Sequence, residues 1–233
     1  HSKLTELWNE VSPGWRHIKQ IGDAVRKKKY YTQTAFQKCL NECELARVHS
    51  VLDWGPGSGW TSEMLSPETD IHLVDVSSEV IDVAKKSIPH ATTDVIVDKP
   101  TFNRAIRGLI KKRFDMIISF SVIYHFPSFE YFEAIANCWR VISPEYIVIK
   151  TMITDVNTWE RSCYKEYADS ENFLRGLILS EIDLVSQFPE HKVIFRARDV
   201  DVIPGLLGKK PKKITAPGMP EYTSMLYVLH KVQ

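Results

Sequence analysis

Apolar residues recur along this chain with two different periods. Over residues 4–25 they return every three or four positions, which predicts an amphipathic helix, or two, with a break at Pro13-Gly14. A second helix is expected over 32–46, starting near Thr32 or Thr34. From residue 50 onward short apolar runs alternate with helical stretches. The strands fall at 50–54, 71–76, 93–97, 115–120 and 146–150, and the helices at 60–65, 79–87, 102–112 and 130–141. Strands this apolar are covered on both faces, so the pattern predicts a parallel sheet flanked by helices. After Lys150 the rhythm changes. A polar, aromatic-bearing stretch over 152–170 precedes an expected helix over 171–187. Strands at 192–197 and 224–230 close the chain, separated by a loop over 202–223 rich in Pro, Gly and Lys. Connections of that length are as a rule functional or disordered. The expected class is α/β: a mostly parallel seven-stranded sheet with an antiparallel C-terminal strand pair and an N-terminal helical extension.

Composition narrows this little. With 233 residues, 44% hydrophobic and 25% charged, the chain fits one α/β domain with appendages and can bury a sizeable core. Cys39, Cys43, Cys138 and Cys163 follow no disulfide or zinc framework and are expected to be packing thiols in a reducing compartment. No stretch reaches the ~18 apolar residues needed to span a bilayer, and no leader pattern opens the sequence, so a cytoplasmic location without membrane contact is expected. The histidines lack metal-ligand spacing, so no metal is expected. The net charge of +1 is uninformative, but its distribution is not. Basic clusters at 26–29, 111–113 and 209–213 are either solvated faces or a rim for an anionic substrate, a phosphorylated metabolite or nucleic acid.

The most specific segment is Val51-Leu52-Asp53-Trp54-Gly55-Pro56-Gly57-Ser58-Gly59-Trp60. A buried strand ends beside an acidic residue, a glycine-rich turn follows, and a helix is expected next, its N-terminus offering free N–H groups. A dinucleotide fingerprint would need glycine where Trp60 stands. A nucleotide-hydrolase phosphate loop would need a Gly-Lys-Ser/Thr ending that is absent. Asp53 would repel a pyrophosphate but suits a ligand carrying an ammonium and a sulfonium. The next strand ends in Asp75, where a carboxylate can accept from both hydroxyls of a ribose, and the third is followed by Asp98.

On these residues the sequence resembles the class I, Rossmann-like S-adenosylmethionine-dependent methyltransferases, most clearly over 50–151. The resemblance implies S-adenosylmethionine as cofactor, held by Asp53, Gly55, Pro56, Gly57, Ser58, Gly59, Asp75, Val76, Asp98 and Ser119. Asp98 would reach the adenine amino group. It also implies a division into an N-terminal helical cap over 1–48 and a methyltransferase domain over 49–233.

The fourth strand runs into Ser121-Val122-Ile123-Tyr124-His125-Phe126-Pro127, which the resemblance places beside the transferable methyl. Methyl transfer from a sulfonium needs mainly alignment of the acceptor. An oxygen acceptor of high pKa also needs a base, and His125 is the candidate. Tyr124 and Tyr30 are candidate substrate contacts, and Tyr31, Trp159, Tyr164 and Tyr167 are further aromatics near the expected pocket. An Asn-Pro-Pro-Tyr signature and a cysteine after the strand are both absent, which argues against amino-group methylation of nucleobases and against covalent cytosine chemistry. The expected partner is a small-molecule acceptor, anionic if the basic clusters form a rim rather than solvated faces, methylated at oxygen in preference to nitrogen. An RNA or protein methyltransferase, a non-catalytic cofactor-binding module and a dinucleotide oxidoreductase are the alternatives.

Overall fold

Strand β1, Ser50–Trp54, is buried from Val51 onward, and the order of the N-terminal half grows from it. The structure is a computed structural model that describes residues 22–96, 99–160, 177–203 and 220–232. It divides into two compact units, residues 1–118 and 119–233. In the first, β1 lies between β2 (Asp70–Asp75) and β4 (Met116–Phe120, which ends in the second unit), and β3 (Thr92–Val95) flanks β2. All these pairings are parallel. Trp54 pairs with Val74, so the carboxyl ends of β1 and β2 are level. The Asp115 carboxylate accepts from the backbone N–H groups of His49 and Ser50 at 2.8 and 3.0 Å, which anchors the start of β1.

Helix α1, Gly22–Glu42, buries Ala35, Phe36, Cys39 and Leu40 along one stripe. It runs unbroken through 26–31, where the periodicity suggested a connection between two helices. Lysine and arginine are good helix formers, and no Gly or Pro interrupts 23–42. Residues 4–21 lie outside the described residues. Helix α2, Ser78–Lys85, is capped by Ser77, whose hydroxyl accepts from the Val80 N–H. Its Ile81 and Ala84 pack with Ile88 and Ala91 against Ile71 and Leu73 of β2. Helix α3 spans Lys99–Leu109.

One expected helix is absent. Residues 60–65 form only a three-residue 3-10 turn, Ser62–Met64, with Leu65 already extended. Pro67 follows closely, and the residue before a proline is pushed away from helical geometry, so fewer than two turns were available. The free N–H groups of a helix start are therefore not what the glycine loop offers.

In the second unit, β5 (Tyr146–Thr154) pairs antiparallel with β9 (Thr223–Lys231) and parallel with β7 (Leu177–Ser180). β9 also pairs antiparallel with β8 (His191–Arg198), so the expected C-terminal strand pair is present. Helix α4, Phe129–Ile142, is capped by Ser128 and buries Trp139, which stacks on Phe188 at 6.0 Å. The seven expected strands all form. Two more, β7 and the two-residue β6 (Trp159–Glu160), lie where the sequence showed no alternation. The helix expected over 171–187 is corrected where that range is described: Leu177–Ser180 is strand, and among the described residues of the range only Glu181–Ser186 (α5) is helical. Ser180 ends the strand by capping the helix, accepting from the Asp183 N–H and donating to the Asp183 carboxylate at 2.7 Å. A short helix, α6, spans Asp199–Val202. Among the described residues no helix is long and apolar enough to cross a membrane.

Candidate functional site

The level ends of β1 and β2 bring two carboxylates into one unit. Asp53 is 1% exposed. Its Oδ2 accepts from Ser62 Oγ at 2.6 Å and from Thr61 Oγ1 at 3.4 Å. Its Oδ1 is buried and has no hydrogen-bond partner among the described residues. Burial raises the Asp53 carboxyl to about 6, against the opposing pull of the Ser62 and Thr61 hydroxyls. Asp75 is partly covered and accepts from the Ser77 N–H at 2.9 Å. Burial raises it to about 7, the Ser77 and Val76 N–H groups oppose the rise, and the charge of Asp53 adds to it. An unpartnered buried carboxylate oxygen costs free energy unless a donor meets it.

The loop between them is shaped by glycine. Gly55, Gly57 and Gly59 all have positive φ, at 79, 56 and 72°. The Gly55 N–H donates to Val74 O at 2.8 Å, extending the β1–β2 register by one bond, and the Gly59 N–H closes a turn onto Pro56 O at 2.8 Å. Gly59 is required twice over. A Cβ there would stand 3.1 Å from Ile88 Cδ1 and 3.3 Å from the Ala84 backbone. The loop thus lies directly on α2 and the turn after it. Ser58 is buried beside it.

Helix α1 reaches the same loop. Gln33 Nε2 donates to Trp60 O at 3.2 Å and to Glu63 Oε1 at 2.6 Å, and Lys29 pairs with the same Glu63 oxygen. Tyr30, on the same helix, is 52% exposed and its ring meets that of Tyr31 at 5.9 Å.

In the second unit Ser119 is fully buried, and its Oγ has no hydrogen-bond partner among the described residues. Ser121 takes a left-handed φ of 67° as the chain leaves β4. A 3-10 turn, Ile123–His125, follows, with the His125 N–H on Val122 O at 2.8 Å. Tyr124 and His125 are half-buried, their ring centroids 4.1 Å apart. Asp98, Tyr164 and Tyr167 lie outside the described residues.

Comparison with known proteins gives this arrangement a family. Residues 51–145 match the family described as "Methyltransferase domain". That stretch is a methyltransferase domain. No curated protein matches the sequence. Among solved structures, the magnesium protoporphyrin IX methyltransferase of Synechocystis, with bound S-adenosylhomocysteine, is 14% identical, with 99% of each chain covered and a TM-score of 0.60. A SAM-dependent methyltransferase of Leishmania major is 15% identical over 95% of this chain and 82% of its own, with a TM-score of 0.57. The N-methyltransferase NodS of Bradyrhizobium japonicum is 12% identical over 91% of this chain and 100% of its own, with a TM-score of 0.54. At these identities the likenesses give the methyltransferase fold.

Three residues of that stretch, Thr61, Ser62 and Glu63, and Gln33 of α1 before it were not singled out from the sequence for the roles they take. A signal for the first two existed, since hydroxyl residues directly after a glycine loop can fold back onto the strand that precedes it. Gln33 had none, because its partners are 27 and 30 residues away. The basic clusters also look different once folded. Lys29 is engaged by Glu63, and Lys112 sits 2.9 Å from His72 Nδ1. An ammonium can only donate, so Nδ1 accepts and the His72 Nε2–H donates to Asp94, 2.9 Å away. Burial and the Lys112 charge lower the His72 pKa and keep it neutral. Cys138 is half-buried, and burial pushes its thiol up to about 11.

Proposed function

We propose that this methyltransferase domain transfers the methyl group of S-adenosylmethionine to a small, anionic acceptor, at oxygen in preference to nitrogen. The observation that carries the cofactor assignment is Asp53 Oδ1, a buried carboxylate oxygen without a hydrogen-bond partner among the described residues, close in sequence to a loop of three positive-φ glycines. An ammonium supplies the missing donor, and a pyrophosphate in its place would meet a negative charge. Asp75, one strand over, is the acceptor for ribose hydroxyls. Gly55 to Gly59, with Pro56 and Ser58, let the backbone approach the ligand, and Val76 and Ser119 complete the set. Asp98 keeps its proposed part at the adenine.

The cofactor, when bound, supplies an activated methyl on a positively charged sulfur. The chain's tasks are to hold it by Asp53 and Asp75, to exclude water, and to take a proton from an oxygen acceptor. His125 is the proposed base and Tyr124 and Tyr30 the proposed acceptor contacts. The pairing of Lys29 with Glu63 supports a small-molecule acceptor over a nucleic acid, because it neutralises one charge of the basic rim.

Two variants test this reading. Asp75→Ala should weaken binding of S-adenosylhomocysteine by roughly 10-fold or more, since two hydroxyls lose a charged acceptor; unchanged affinity by calorimetry would remove Asp75 from the site. His125→Ala should lower kcat by roughly 100-fold with the cofactor Kd little changed; full turnover would leave His125 a purely structural part.

A further inference from the structure

The segment that fixes Asp53 is itself fixed by one amide. Gln33 Nε2 reaches Trp60 O and Glu63 Oε1, and these two partners bracket Thr61 and Ser62, the residues whose hydroxyls donate to Asp53 Oδ2. Lys29 lies one turn before Gln33 on the same face of α1 and pairs with the same Glu63 oxygen. The turn being held is only three residues long, Ser62–Met64. A single 3-10 turn makes too few bonds of its own to hold one geometry. Its place is therefore set by its neighbours, and the long, continuous α1 is the neighbour that holds Trp60 ahead of it and Glu63 within it.

We propose that Gln33 is a positioning residue for the cofactor: by pinning residues 60 and 63 to α1 it keeps both hydroxyls on one oxygen of Asp53 and leaves the other oxygen for the ligand's ammonium. The inference rests on the assignment of Asp53 to the cofactor. Without the amide the turn drifts, the hydroxyls leave Oδ2 and the carboxylate is free to rotate. It also loses the two donors that favour its charged form, so ionisation, and with it cation binding, requires a higher pH. A merely structural glutamine would lower the melting temperature and leave that pH dependence in place.

The test is calorimetric titration of the full chain with S-adenosylhomocysteine at pH 6 and pH 8, for the wild type and for Gln33→Ala, Gln33→Glu and Gln33→Lys, with melting temperatures recorded alongside. The alanine variant should bind roughly 10-fold more weakly at pH 8, and the deficit should widen at pH 6. Glutamate should be worse than alanine, because it sets an acceptor against the Trp60 carbonyl and the Glu63 carboxylate. Lysine should recover most of the affinity, since its ammonium donates to both. Wild-type binding with the alanine and glutamate variants unchanged would overturn this inference and leave the cofactor assignment standing. Equal losses in all three variants, lysine included, would do the same. No binding by the wild type would overturn the cofactor assignment and this inference with it.

Discussion

Gly59→Ala should lower the melting temperature of the ligand-free protein by roughly 5–10 °C. Two independent terms set that figure. Gly59 has a φ of +72°, where an alanine costs about 1–2 kcal/mol relative to its preferred regions. The added Cβ also meets Ile88 Cδ1 at 3.1 Å and Ala84 Cα and O at 3.3 Å. The isoleucine can yield by a small rotation, but the Ala84 backbone is bound into α2 and cannot. Together the terms amount to about 2–3 kcal/mol, and the loop's shape over α2 changes with them, so affinity for S-adenosylhomocysteine should fall as well. Gly108→Ala is the control. It lies in α3, exposed, with nothing within 4 Å of the new Cβ. There the substitution gains about 1 kcal/mol of helix propensity and should raise the melting temperature by a few degrees. Thermal unfolding followed by circular dichroism decides both. A Gly59→Ala protein as stable as the wild type would show that the loop does not rest on α2.

Asp53→Asn should weaken binding of S-adenosylhomocysteine by roughly 10- to 100-fold at pH 7.5, the worth of a hydrogen bond to a charged group. The same change should move stability the other way as pH rises. The folded Asp53 carboxyl is raised from 3.8 to about 6, so the fold favours its protonated form. That contribution is fully present below pH 3.8 and is lost as pH rises through about 6. Near neutrality the fold therefore carries an unfavourable buried charge that asparagine lacks. Measured as variant minus wild type, unfolding free energy should shift in the variant's favour by about 1.4 kcal/mol between pH 5 and pH 7.5. Taking the difference removes the contributions of His72 and His191, whose lowered pKa values act against the wild type's gain at acid pH in both proteins alike. Denaturant titrations at the two pH values give the quantity. A difference independent of pH would mean that Asp53 titrates as an exposed carboxyl and is not the buried acceptor described. A residue that weakens the empty fold and strengthens the loaded one is what an acceptor for a cationic ligand should be.

How much of this could be read from the chain depends on the range of the interaction. The strands β1, β2, β4, β5, β8 and β9 announce themselves by unbroken or alternating apolar runs, because burial of a strand leaves its mark on consecutive residues. The glycine loop is equally local. Three positive-φ glycines between a strand and its next turn report a backbone shape directly, and Asp53 and Asp75 stand one residue from, or at, the ends of their strands. The errors fell where local pattern was outvoted. Apolar spacing over 60–65 suited a helix, but the docking of Gly59 on α2 and the approach of Pro67 left room only for a 3-10 turn. Residues 177–180 read as the middle of a helix until pairing with β5 and β6 made them a strand.

The sequence by itself determined the seven strands it predicted, the glycine loop and the acidic character of the two strand ends, since each is written in neighbouring residues. Only the tertiary structure decided which oxygen of Asp53 is open. That depends on hydroxyls eight and nine residues onward, held in turn by an amide from a helix that precedes the sheet. Hydrogen bonds of that kind leave no periodic trace in the chain. They come into being only when burial has brought distant segments together and removed the water that would otherwise satisfy them.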